Sequence, residues 1–398
     1  MCSVGMPQLL SYAVFFVLTI QSHGGIVGRT PAFSVAAVLF DDTALAKPHD
    51  VELQGSLAFV PGKGGSIAII DVADPAKPHI LWHRQEEKRL HDTETVLPLG
   101  HYLLLGTNDL ISIDISNPRA PRFCKTVSDR TRISRINGMV KRGDYVFAAG
   151  KDGWIDVFDV SDPRSPILVG ARNTRSSGEL GWPHDIDVFG DYIVVVDPAG
   201  FGRRDLPGKV GIYRVAHPVT CELTPVTGWE QVGVLANYDL VGANRVQVAD
   251  TYAFVAASQS DKPGKVVVVD ISDPARPAQV AALSFSDARG PNGLTIAGSV
   301  LFLAGGQTVE AIEITEPTRP VKLASYKCLQ AFGAGRDSAH DLVYRDGYLY
   351  VTGQNDNCFC ILRVNSPRIR ELAKEYAWRP CSTTTWNKPN GTKAAGDQ

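Results

Sequence analysis

The chain has 398 residues, with 40 Lys and Arg against 42 Asp and Glu, for a formal charge of −2. Such a length suits two or three ordinary domains, but single β-rich propellers use as much chain, so internal repeats have to decide. A near-neutral balance excludes the positive field that a nucleic-acid backbone or an anionic membrane surface would require of its partner.

The first predicted element is apolar. Leu9 to Ile20 reads LLSYAVFFVLTI, too short to span a bilayer but of the right length for the core of a secretory signal. Ala44-Leu45-Ala46 has the small-x-small spacing of a cleavage site. Residues 1–46 are therefore read as a leader and N-terminal segment. The mature chain is expected to be extracytoplasmic (secreted, periplasmic or at the cell surface) and to have no membrane span.

From residue 47 a single unit recurs. A β-branched or aromatic run ends in Asp-Val/Ile-x-Asp-Pro-x-x-Pro: IIDVADPAKP to Pro78, SIDISNPRAP to Pro121, VFDVSDPRSP to Pro166, VVDISDPARP to Pro277 and AIEITEPTRP to Pro320, with weaker copies at Pro218 and Pro367. The third copy shows the strands most clearly as NGMVKR, YVFAAG, WIDVFDV and ILVGA, whose alternation and Pro/Gly/Asp punctuation favour strands over helices. Seven such units predict an all-β fold, a seven-bladed β-propeller with four antiparallel strands per blade spanning 47–378, followed by a polar tail at 379–398. The carboxylates of the Asp-Pro turns are expected to start tight turns rather than hold calcium, which needs six or more convergent oxygens. Six of the 7 cysteines lie beyond the leader, an even number that suits disulfides. Cys358 and Cys360 share one strand face without the second pair that a zinc knuckle needs.

These units resemble LVIVD repeats, closest in VVVVDISDP at Val266 to Pro274 and SIAIIDVADP at Ser66 to Pro75. Arg214 and Arg363 stand where the family has Asp. The resemblance implies a surface or secreted propeller, and it does not imply one chemistry.

Counting back eight residues from the start of each second strand gives one register around the disc. Leu57 leads to His49, Tyr102 to Glu94, Tyr145 to Asn137, Tyr192 to His184, Tyr252 to Asn244, Val300 to Asn292 and Tyr348 to His340. If the first strand of each unit lies at the axis, seven polar residues ring one mouth of a channel, and each must find a partner or a ligand. The long insertions fall on the same side: 172–183, 197–209, the fifth unit's SQSDKPGK and the entry to the seventh. His49, Glu94, His184 and His340 are ligand types for a single zinc, iron or manganese ion. Asn137, Asn244, Asn292, His91, Arg203, Arg204 and Arg245 are candidate contacts for a ligand at that mouth. The Asp after each ring histidine (Asp50, Asp185, Asp341) is expected to tie down a neighbouring blade.

No nucleophile elbow, phosphate loop or HExxH helix occurs. The first reading is a non-catalytic binding scaffold for a protein, glycan or small molecule. The second is a metal-dependent oxidase, oxygenase or hydrolase, and the third a structural surface component.

Overall fold

A computed structural model describes residues 30–133, 135–199, 205–215, 229–258, 263–287, 289–327 and 338–374. Seven four-stranded antiparallel sheets succeed one another. The second strands begin at Leu57, Tyr102, Tyr145, Tyr192, Tyr252, Val300 and Tyr348, the positions read from sequence. First strands pack against first strands around the axis, from Glu52–Gln54 in the first blade to Ala339–Arg345 in the seventh.

Strand alternation explains why the blades stack. In Tyr102–Gly106, Leu103 and Leu105 join Phe59, Ile67 and Ile69 of the first blade, while Leu104 turns the other way and joins Ile136, Val146 and Phe158 of the third. Seven apolar seams arise in this way, one between each pair of neighbours, and the last joins Tyr350, Phe359 and Ile361 of the seventh blade to Val51, Ala58 and Val60 of the first. Each fully buried Leu or Ile contributes about 2 kcal/mol. No blade could keep that contribution alone, because both of its faces would be wet.

The Asp-Pro turns are Asx turns. Asp71, Asp114, Asp159 and Asp270 each accept the N–H two residues on, as do Asp74, Asn117, Asp162 and Asp273. Their oxygens thus serve the turn. The corresponding segment of the fourth unit lies outside the described residues.

The seventh unit departs from the others. After Cys358–Val364 the chain enters the short helix Pro367–Leu372, capped by Ser366, instead of a fourth strand. The outer strand is supplied by Phe33–Phe40, antiparallel to Cys358–Val364, with Phe33 opposite Val364 and Phe40 opposite Cys358. The sequence reading began the propeller at residue 47 and left this strand in the N-terminal segment. Ala44 and Leu45 of the candidate cleavage site are buried in the seam between the seventh and first blades.

Cys124, Cys358 and Cys360 are thiols rather than half-cystines, and the latter two pack in the seam with the sixth blade. Cys221, Cys328 and Cys381 lie outside the described residues, as do Leu9 to Ile20 and the tail. Among the described residues no helix is long and apolar enough to cross a membrane.

Candidate functional site

Each ring residue sits where its inner strand begins. The N–H groups of His49, Glu94, His184 and Asn292 donate to carbonyls at the ends of the second strands, those of Pro61, Gly106, Val196 and Ala304. In three other blades the register slips at the ring, between Ile136 and Gly138, Ala243 and Arg245, and Ala339 and Leu342. Such bulges re-aim a side chain.

The ring fastens blade to blade. His340 Nδ1 donates to the His49 carbonyl at 2.8 Å, His49 Nδ1 to the Glu94 carbonyl at 2.7 Å, and the Asn137 amide to the His184 carbonyl at 2.7 Å; His184 Nδ1 lies 2.9 Å from the Asn244 carbonyl. A carbonyl only accepts, so the proton of His49 and of His340 is on Nδ1. Burial keeps His49, His184 and His340 well below the ordinary imidazole pKa; the neighbouring Lys63, Lys151 and Arg245 push the same way. The rings of His49 and His340 lie against each other, tilted by 41°, with centroids 4.0 Å apart.

Glu94, in the second blade, is fully buried between two lysines that the sequence reading missed. Lys63 reaches it from the first blade at 3.4 Å, and Lys151 from the third blade contacts both carboxylate oxygens. Burial lowers Lys151 to about 8, against the pull of Glu94. Both lysines follow the glycine that closes a second strand, in PGKG and AGKDG. Aligning those loops across the repeats would have marked them.

One residue further along lies a second layer. Asp50 accepts from Val96 N–H of the second blade and Asp185 from Val246 N–H of the fifth, each at 2.9 Å, and Asp341 hydrogen-bonds to Asp50 of the first. The Asp residues therefore tie down the following blade, as expected from sequence. An inner strand presents unpaired N–H groups toward the axis, and a carboxylate acceptor satisfies one for about 1.5–3 kcal/mol. Asp187 does the same for Val248 N–H and the Gln247 amide oxygen for Ile296 N–H.

Arg245 was expected at the mouth. It is instead buried at 8% exposure and reaches across the axis: Nη1 lies 3.4 Å from the Asn137 carbonyl in the third blade, and Nε 3.9 Å from Asp341 in the seventh. Burial opposes its charge, and Asp341, Asp185, Asp50 and Glu94 outweigh that and raise its pKa.

The metal set is not assembled. Among the described residues no three His, Cys, Asp or Glu side chains are placed to hold an ion. His49 Nε2 stands 3.9 Å from Glu94, but the carboxylate is committed to two lysines, and three cations surround the imidazoles. In this arrangement His49, His184 and His340 face backbone carbonyls of neighbouring blades and Glu94 faces Lys63 and Lys151. Asn244 and Asn292 are partly buried at the ring, Asn292 donating to the Arg289 carbonyl at 3.4 Å, and His91 is exposed in the entry to the second blade. Arg203 and Arg204 lie outside the described residues.

A cavity of about 460 Å³ opens instead between the two insertions of the fourth blade, lined by Leu180, Trp182, Leu206 and Pro207 with Arg175, Asp197 and Lys209. The walls are fastened: Asp197 accepts from Gly181 and Ala199 N–H, Lys209 donates to the Glu179 carbonyl, and Arg175 donates to those of Gly181 and Lys151. Leu206 is 44% exposed beside Tyr238, whose hydroxyl donates to the Asp205 carbonyl.

Comparison with known proteins agrees with this architecture. The LVIVD repeat model matches residues 47–82, 92–129, 139–174 and 242–283, the units of the first, second, third and fifth blades. No curated protein matches the sequence. Among solved structures, the computationally designed Ika8 protein is similar, with a TM-score of 0.53 and 11% identity over 82% of this chain and 98% of that one. At that identity the likeness shows the fold alone. The chain is thus a seven-bladed β-propeller with LVIVD repeats in four of its blades.

Proposed function

We propose that this LVIVD-repeat propeller is an exported binding scaffold that engages a protein, glycan or small ligand through its loop-rich face. The observation that carries this reading is the cavity between the fourth-blade insertions. It combines an apolar floor with a few fixed polar groups, the composition of a recognition pocket, and its walls are held by their own hydrogen bonds before any partner arrives, which lowers the ordering cost of binding. His49, Glu94, Asn137, His184 and His340 of the polar ring make contacts between blades, so the ring serves as the frame that holds the loops. The apolar run Leu9 to Ile20 supports export.

Labelled full-length protein applied to glycan and cell-surface protein arrays tests this, alongside Trp182→Ala and Leu206→Asp variants with unchanged thermal midpoints. Signals that fall at least tenfold in both variants are expected. Signals indifferent to both, or none for the wild type, count against the loop-rich face.

A further inference from the structure

Beneath the imidazole layer, on the side of the first-to-second-strand turns, the inner strands of all seven blades enclose a second cavity of about 280 Å³. It is ligand-sized, since a single water occupies about 30 Å³. Its wall carries the carboxyl groups of Asp50, Glu52, Asp185, Asp187 and Asp341 and one guanidinium, Arg245. The other lining cation, Lys141, turns its amine to the Gly143 carbonyl.

Two unmet demands lie in its wall. Arg245 Nη2 is buried without an acceptor, although Nη1 and Nε have partners. A donor left so costs about 1–3 kcal/mol or more when charged. Further along, Glu52 has a backbone N–H partner and only the distant pull of Arg245, while Asp187 has no cation and is hydrogen-bonded to Val188 and Val248 N–H. Burial pushes Asp187 up to about 7 and Glu52 up to about 8, the latter also because of Asp50. An opposite charge would relieve both. Glu52 and Asp187 belong to the first and fourth blades, as far apart around a seven-bladed ring as two blades can be. The carboxyl groups do not converge as metal ligands, so a compact ion does not fit where an extended organic cation does.

We infer that this axial cavity binds a small organic molecule with an ammonium or guanidinium group at one end and a carboxylate or similar acceptor at the other, as in a basic amino acid. The acceptor end takes Arg245 Nη2, and the cationic end lies against Asp187, with Glu52 on the opposite wall. This site is separate from the fourth-blade cavity and does not depend on it.

Isothermal titration of the full chain with L-arginine as probe tests the inference, with agmatine, which lacks the carboxylate, and N-acetylglycine, which lacks the cation, as one-ended controls. One arginine per chain is expected, with at least tenfold weaker binding for either control. Affinity falls at least tenfold in Glu52→Gln/Asp187→Asn. It falls equally in Val343→Phe, which narrows the cavity without changing charge and keeps the test valid should the double variant misfold. Absence of arginine binding at millimolar concentration, agmatine binding as tight as arginine, or an affinity unchanged in the variants overturns it.

Discussion

Gly138 shows how closely the inner layers fit. A Cβ placed there would lie 2.2 Å from Asp185 Oδ1, and one on Gly293 would lie 2.6 Å from Asp341 Cα. In each case a glycine in one blade makes room for the aspartate with which the next reaches onward. Gly138→Ala should therefore cost about 1–3 kcal/mol by overpacking, read as a lower midpoint in urea, whereas Gly181→Ala, whose Cβ would meet nothing nearer than 3.8 Å, serves as the neutral control. Equal midpoints for the two would mean that Asp185 is not seated against Gly138. The identity of the ring residues was legible in sequence, because one count from the second strand finds all seven. Their role was not. Strict alternation sends adjacent residues to opposite faces, yet His49 and Asp50 both reach the second blade and His184 and Asp185 both reach the fifth, and no composition signal marks that. Arg245 misled for a related reason: an Arg beside glycine and asparagine reads as a loop residue, and only the closed ring shows that its side chain crosses the axis.

At the level of elements, the closing strand is the part that sequence concealed. Phe33–Phe40 carries no Asp-Pro signature, being an outer strand, and it follows a leader-like apolar run, so its eight residues FSVAAVLF looked like more of the same. Its pairing with Cys358–Val364 joins the two ends of the propeller chain, and without it the seventh blade would expose a hydrophobic strand edge. A chain beginning at residue 47 should therefore melt at least about 5 °C below one beginning at residue 31 and tend to aggregate, as differential scanning calorimetry with light scattering would show. By the same reasoning, and on the proposal that the protein is exported, N-terminal sequencing of the mature chain should find its first residue upstream of Phe33 and not after Ala46. A mature chain starting at residue 47 with full stability would show the outer strand to be dispensable.

Across the whole molecule, seven apolar seams supply most of the burial and the axis supplies the register. Two polar layers, one of imidazoles, amides and Glu94 and one of carboxyl groups, link successive blades around the buried Arg245. Their protonation sets a pH dependence of known sign. Burial raises Asp185 to about 6 and holds Asp341 well above the usual carboxylate range, in both cases against the pull of Arg245. Groups whose pKa is higher folded than unfolded contribute most below about pH 4 and lose that contribution as pH rises through the folded value. Buried neutral histidines act in the opposite sense: their contribution is present above about pH 6.5 and is lost as acid protonates the unfolded chain. Removing the guanidinium should raise the carboxyl pKa values further and leave the alkaline side worst affected.

The most direct measurement is thermal unfolding of Arg245→Met beside the wild type at pH 5.5 and pH 8. If the buried guanidinium holds the carboxyl layer, the midpoint should fall by several degrees more at pH 8 than at pH 5.5. An equal small loss at both values would contradict an axis fastened around Arg245.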